Sequence, residues 1–404
     1  MAALTALRTK CIEPSAASMA APTTRDGALA IDIVSGHDDF LALQPEWDAL
    51  FARSALPQQV FQSHVFLRHW ARHYLEAGSH LSIVTARRGG RLVMVWPLIA
   101  QRRFGVTILR FMGVPVAQFG DVLVERGGHE VELLQAGWAA VRTLRADLFE
   151  LRKLRTDAAL APAGMPADAI LLEQREAPYA DLDLRVGREG PSAVYAARER
   201  SNHRRRLRRL SERGDISFAT LDPGPQAAVL AAEAIAMKQV ALTRHGIVAP
   251  TVADPRFAAF FHDLAGDAEG GSPLRIAVIR CDDQAIGIDL ALDCKQVSFG
   301  HVIATHPDHE RGGVGGILVH RSFAAAKARG NMLFDLLAPA DAYKLEHADG
   351  LTVVSDSVLP LSWRGRLVCR LGLRHLRPAL RAAVRNLPEP VTRRLAAWSN
   401  TGKG

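Results

Sequence analysis

Four glycines, Gly312, Gly313, Gly315 and Gly316, stand immediately before an apolar-periodic run that includes Ile317, Leu318, Phe323, Ala324 and Ala325. Glycine at such a junction permits positive φ and removes the Cβ atoms that would block a ligand. The first N–H groups of the helix that follows have no partner inside it, and they carry the positive end of its dipole. Arg311 adds a cation at the same place, and the backbone of Val314 lies within the turn. These features make a cradle for phosphate or pyrophosphate. The bland alternative is a tight turn with close helix–sheet packing. A dinucleotide site is disfavoured, because there is no G-x-G-x-x-G and the preceding strand belongs to a meander. A P-loop is disfavoured because no Gly-Lys-Ser/Thr follows.

Other residues near this turn have types suited to chemistry. Asp335 sits inside the apolar run MLFDLL, where a carboxylate must find a partner or lose its charge. It is either tied to backbone N–H groups or to Lys344, or it binds an acceptor and moves a proton. Tyr343 and Lys344 open a helix just beyond; structurally they are a half-buried aromatic and an ion-pair partner. His301 lies on the strand before the turn, and a neutral imidazole there accepts a proton near pH 7, unless it is only a strand histidine facing core or solvent. His306, Asp308 and His309 form a loop cluster without a third ligand at metal spacing, so no metal is expected. A basic helix spans 191–213; its stretch 198–213 holds eight arginines against two glutamates, with Arg204, Arg205, Arg206, Arg208 and Arg209 around Leu207 and Leu210. It is either a solvated face or a binding surface for an anionic acceptor, with Arg204, Arg205 and, in the next helix, Lys238 as candidates.

The elements that must position these groups follow from periodicity and punctuation. Strands are expected at 30–34, 81–86, 92–99, 106–111, 121–124, 148–151 and 179–184, with helices at 40–51, 63–75 and 130–144. After the basic helix, helices are expected at 226–242 and 254–266. A meander of strands at 274–281, 285–292 and 297–304 leads into the glycine turn. A helix to 329, a strand at 332–337 and a last strand around Val353 and Val354 complete the pattern. The two halves repeat an order of two helices, meander, irregular loop, helix and strand.

From 360 onward a basic helical tail places arginines at 366, 370, 374, 377, 381 and 385 on one face, with Leu367, Leu371, Leu376, Leu380 and Val384 toward another. That tail either packs on the protein with its basic face in water or lies on an anionic membrane surface. The net charge of +8 favours anionic partners. Hydrophobic content of 48% and charged content of 23% are ordinary for a globular chain and exclude wholesale disorder. No run of about 18 apolar residues exists. Cys11, Cys281, Cys294 and Cys369 show no C-x-x-C, which fits reduced cysteines in a cytoplasmic protein. Residues 1–28 read as a disordered tail.

The succession of strand, glycine-rich loop, helix, Phe334-Asp335-Leu336-Leu337 and Tyr343-Lys344 resembles the C-terminal half of the GNAT acyltransferases. It is most similar to the CelD/BcsL branch (the BioF2-like acetyltransferase domain), which is related to the FemAB peptidyltransferases. Phe61-Gln62-Ser63 with Trp70, and Trp96-Pro97-Leu98, extend the likeness over roughly residues 40–365. The match to the family's Gln/Arg-x-x-Gly-x-Gly/Ala is Glu310-Arg311-Gly312-Gly313-Val314-Gly315, with Glu at the first position.

The resemblance implies an α/β (α+β) fold of tandem GNAT-like domains, each a mixed, mainly antiparallel sheet flanked by helices. The domains would be 29–185, without cofactor and shaping the acceptor cleft, and 186–362, binding the donor, followed by the tail 363–404. It implies acetyl-CoA or another acyl-CoA as co-substrate on Arg311 to Gly316, and Tyr343 protonating the departing thiolate. It further implies an acidic residue kept at the place of Asp335, His301 beside the thioester, and Lys344 on a substrate phosphate. No Cys or Ser nucleophile with a base partner is visible, so direct attack by an acceptor amine or hydroxyl is expected. The acceptor would be a small molecule or glycan of an exopolysaccharide or envelope pathway, met in the cytoplasm or at the inner face of the membrane. The alternatives are an aminoacyl transfer from aminoacyl-tRNA, the one case in which nucleic acid is expected, and a non-catalytic anion- or membrane-binding protein.

Overall fold

The computed structural model describes residues 28–371 apart from 104, 162–164 and 189. The expected N-terminal tail up to residue 27, and the basic tail face at 374, 377, 381 and 385, lie outside the described residues. The architecture is mixed α/β, with large, mostly antiparallel sheets flanked by helices. Among the described residues, eleven strands make one continuous sheet. Its order from one edge is Ile216–Leu221, Leu274–Cys281, Gln284–Cys294, Val297–Thr305 and Leu333–Asp335. It continues through Ile170–Asp181, Gly350–Pro360, Leu148–Arg155, Val106–Phe111, Leu98–Arg103 and Ser79–Leu81.

The two halves of the chain exchange strands at the middle of this sheet. Ile170–Asp181, from the first half, pairs with Leu333–Asp335 of the second. Gly350–Pro360, from the second half, pairs with Leu148–Arg155 of the first. The core crosses the same seam: Phe61 and Phe119 pack edge-on against Phe299, and Phe66 against Phe260. Polar contacts reinforce it, with His69 Nε2 2.7 Å from Asp267 and His73 Nε2 3.0 Å from Asp263.

Several elements depart from the expectations. The run 92–99 is not one strand: Pro97 interrupts it, and Arg91–Trp96 joins a four-stranded sheet while Leu98–Arg103 enters the large one. Proline removes the ladder donor at the switch. The expected strand 179–184 is the end of a twelve-residue strand, Ile170–Asp181, followed by a short helix, Leu182–Arg185. The basic helix starts at Ala197, not at 191, because Gly190–Pro191 pairs with Val186–Gly187 in a small ribbon. The strand Ile216–Leu221 was not expected, and residue 360 still belongs to a strand, with a short helix Trp363–Val368 beyond it. No helix among the described residues is long and apolar enough to cross a membrane. Cys281, Cys294 and Cys369 are free.

Candidate functional site

The glycine turn is built as a bend that favours glycine. The turn Pro307–Gly312 hands over to the helix Val314–Ala328 through Gly313, whose φ is +73°. Among the described residues no side chain caps this helix, so its first N–H groups depend on neighbours or a ligand. Val314 is fully buried against the core, so only its backbone serves the turn. A Cβ on Gly315 would meet nothing closer than the Thr305 Cγ2 at 3.8 Å, which leaves that face open.

The cation over the turn is Arg206, from the helix Ala197–Ser211. A Cβ on Gly313 would stand 2.6 Å from the Arg206 Cδ, and one on Gly316 would stand 3.3 Å from its Nη1. Arg213 reaches within 4.0 Å of a Cβ on Gly312. Positive groups thus converge on a positive helix end, an arrangement that an anion relieves. Arg204 and Arg205 are exposed on the same helix and do not line the turn. The Arg311 side chain lies outside the described residues.

From the turn, the strand Val297–Thr305 leads to a second feature. It pairs in parallel with Leu333–Asp335 over only three residues, Val297 to Phe299. Among the described residues, the outer edge of 300–305 has no strand partner, so backbone donors and acceptors are available there. A bulge falls at His301, the extra residue between the pairs Ala291–Gly300 and Leu290–Val302. Bulges re-aim side chains. Here His301 enters a cavity of about 160 Å³, lined also by Lys238, Tyr343 and Lys344 and by Gln118 from the first half.

Four of the sequence-derived candidates therefore share one cavity. The His301 Nε2 lies 2.9 Å from the Val116 carbonyl, which makes Nε2–H the donor, and Nδ1 is buried. Burial pushes the imidazole pKa down to about 4, so the ring is neutral. Tyr343 is 44% exposed as a residue, yet burial of its phenol pushes the pKa up to about 12, so the hydroxyl keeps its proton at neutral pH. Lys238 donates to the Ile303 carbonyl at 3.0 Å, on the free edge itself. Lys344 donates to the carbonyls of Leu337 and Pro339 at 2.9 and 3.0 Å, with Asp341 at 3.9 Å. Burial lowers the pKa of both lysines.

Asp335 does not line that cavity. Its Oδ2 accepts from the Arg155 Nη1 at 2.6 Å and its Oδ1 from the Leu337 N–H at 2.8 Å. The partner is an arginine of the first half, not Lys344. In the His306–Asp308–His309 loop the His306 Nδ1 lies 3.9 Å from the Asp308 carboxylate, which is nearer to Arg244 at 3.6 Å, and no three-ligand metal cluster occurs among the described residues.

Sequence reasoning passed over Gln118 and Lys153, which connect to this cavity from the first half. It also passed over Asp289, a buried carboxyl on Gln284–Cys294 that faces the Ser322 hydroxyl. Burial pushes the Asp289 pKa up to about 7. A lone acidic residue in an apolar strand run was the only available signal, and it was read for Asp335 alone.

Comparison with known proteins adds the following. Residues 197–345 match the family model of the acetyltransferase (GNAT) domain. No curated protein sequence matches the chain. Among solved structures, FemX is similar with a TM-score of 0.55 at 11% identity, over 82% of this chain and 98% of FemX. A conserved protein of unknown function from Bacteroides thetaiotaomicron is similar with a TM-score of 0.50 at 10% identity, over 82% of this chain and all 100% of that one. A tandem GNAT protein from the clavulanic acid biosynthesis pathway aligns at a TM-score of 0.47 and 15% identity, over 83% of this chain and 99% of that one. At these identities the likeness concerns the fold. The glycine turn, the free strand edge and most of the His301 cavity lie within residues 197–345, the stretch that matches the acetyltransferase (GNAT) domain model.

Proposed function

We propose that the protein is an acyl-CoA-dependent acyltransferase in which an acceptor amine or hydroxyl attacks the thioester directly. The observation that carries this reading is the unpaired strand edge 300–305, which runs between the glycine turn and the His301–Tyr343 cavity. The turn fits a pyrophosphate: Gly313 adopts a positive φ, the helix end is uncapped, and Arg206 lies across it. In this reading backbone N–H groups of the turn and the Arg206 guanidinium hold the phosphates. Edge N–H groups near residue 303 polarise the thioester carbonyl. Tyr343, protonated at neutral pH, donates to the departing thiolate. Neutral His301 lines the same cavity and is the candidate to take the proton of the attacking group.

Residues 186–362 then bind the donor, and 29–185 shape the acceptor side through Gln118. The resemblance at Phe334–Leu337 and Trp96–Leu98 to the CelD/BcsL branch supports an exopolysaccharide or envelope precursor as acceptor, modified in the cytoplasm or at its membrane face. A second reading, aminoacyl-tRNA as donor, is favoured by the exposed Arg204, Arg205, Arg208 and Arg209 on one helix.

Calorimetric titration with acetyl-CoA tests the first reading. Wild-type protein should bind in the micromolar range. Gly315→Trp should abolish binding, since the open face at Gly315 lets the indole fill the turn without disturbing the core. Arg206→Gln should weaken binding about tenfold and flatten its salt dependence, the equivalent of one charge-assisted contact. Absence of binding by the wild type refutes the acyl-CoA assignment, and salt-sensitive RNA binding in its place supports the second reading.

A further inference from the structure

A second cavity of about 160 Å³ adjoins the first, and the two share Gln118 and Ala338 as walls. Its remaining lining comes from the exchanged strands and includes Lys153, Glu173, Arg175 and Asp356. Lys153 is held in an unusual way. Its φ is +56°, which is strained for a side chain with a Cβ. Its N–H donates to the Asp356 Oδ1 at 2.8 Å, and its carbonyl accepts from the Gly120 N–H at 3.1 Å. These anchors direct the ammonium inward, where it donates to the Ala117 carbonyl at 2.8 Å and lies 3.3 Å from the Gln118 Oε1.

Both partners are neutral oxygens. Among the described residues, no carboxylate pairs with this ammonium within 4.0 Å. The nearby acids are engaged elsewhere: Glu173 with Arg175 at 2.7 Å, and Asp356 with the Lys153 N–H. Across the Gln118–Ala338 wall, Lys238 likewise donates to a carbonyl. A buried ammonium with no counter-ion is costly. Burial pushes the Lys153 pKa down to about 8, with Arg175 and Arg152 pushing the same way and Asp356 opposing. An anionic ligand would supply the missing charge.

We propose that the Lys153 cavity binds a carboxylate or phosphate carried by the acceptor, whose amine or hydroxyl then reaches the His301–Tyr343 cavity past Gln118 and Ala338. This rests on the acyltransferase reading for the word acceptor, but not for the anion site. The acceptor class is a small amine or hydroxyl compound bearing one anionic group.

The test compares glycine, O-phosphoethanolamine and ethanolamine as calorimetric ligands of the full chain, with acetyl-CoA titrated separately. One of the two anionic amines should bind at least tenfold more tightly than ethanolamine, and which one does so separates the carboxylate from the phosphate source. Lys153→Met should lose at least tenfold for that ligand and leave acetyl-CoA affinity unchanged. Should that variant fail to fold, the wild type still decides. Its affinity for the anionic amine should fall severalfold between pH 7 and pH 9 as the Lys153 ammonium is lost. Equal binding of all three compounds, an unaltered affinity in Lys153→Met, or a flat pH profile overturns the proposal. Failure of acetyl-CoA to bind overturns the acyltransferase reading alone.

Discussion

Asp335 can be either a reacting group or the latch that ties the halves together, and its contacts favour the latch. Its carboxylate and the Arg155 guanidinium meet at 2.6 Å, with side chains only 4% and 10% exposed. In Asp335→Asn the amide oxygen can still accept the Leu337 N–H. The amide nitrogen then faces the guanidinium, donor against donor, and leaves a buried cation short of its charge partner. Breaking a buried pair on one side costs about 3–5 kcal/mol. Arg155 retains Asp157 at 2.8 and 2.9 Å, which places the expected loss near the low end, about 3 kcal/mol. Urea denaturation of wild type, Asp335→Asn, Arg155→Leu and Asp335→Leu/Arg155→Leu measures it. The double variant should recover much of the loss, since replacing both partners removes the uncompensated charge. Acetyl-CoA affinity of the folded Asp335→Asn protein should match wild type. A loss under about 1 kcal/mol, together with a collapse of turnover, would refute the latch and make Asp335 a reacting group.

Two pH dependences follow from buried groups. Asp289 has its pKa raised by burial from the ordinary carboxyl range to about 7, so the cost of ionising it in the folded state grows as pH rises and levels off above about 7. Asp289→Asn should therefore gain on wild type by about 2 kcal/mol between pH 5 and pH 8, read as the difference in urea stability; parallel curves throughout would contradict the assignment. His203 and His347 pack with His320 and Tyr195 in an edge-to-face cluster; burial first, then neighbouring arginines, lowers the pKa of His203 and His347 to about 4, and burial first, then the two neighbouring imidazoles, lowers that of His320 to about 3. Their depressed values preserve stability above about pH 6.5 and withdraw it as pH falls toward 4, by up to about 1.4 kcal/mol per pH unit for each ring. His320→Phe should keep the packing and reduce the slope between pH 6.5 and 5; an unchanged slope would place the acid sensitivity elsewhere.

Local signals were legible in the sequence and long-range ones were not. The glycine turn, the helix after it and the meander before it could be read because punctuation and periodicity are properties of neighbouring residues. The first nine residues of the strand Ile170–Asp181 escaped notice because Glu173, Gln174, Arg175 and Glu176 give it no apolar alternation. It is held by backbone pairing on both sides with strands more than 150 residues away. The mixed α/β reading was legible through motif order, whereas the partner of Asp335 was not, because Arg155 approaches from the other half. The arginine that reaches the glycine turn was within reach of helical phase. His203 and Leu210 are the buried positions of that helix, and Arg206 stands three residues from one and four from the other. That phase singles out Arg206 over Arg204 and Arg205.

The exchanged strands set a constraint on biosynthesis. Leu148–Arg155 leaves the ribosome almost 200 residues before the strand that covers its edge, Gly350–Pro360. At a synthesis rate of about 5–20 residues per second, that edge waits roughly ten seconds or more with its backbone groups unpaired. An open strand edge templates pairing with other chains. The nascent protein therefore has a window in which protection of that edge, for instance by a holding chaperone, decides yield. A nonsense truncation anywhere before residue 350 would leave that window permanently open.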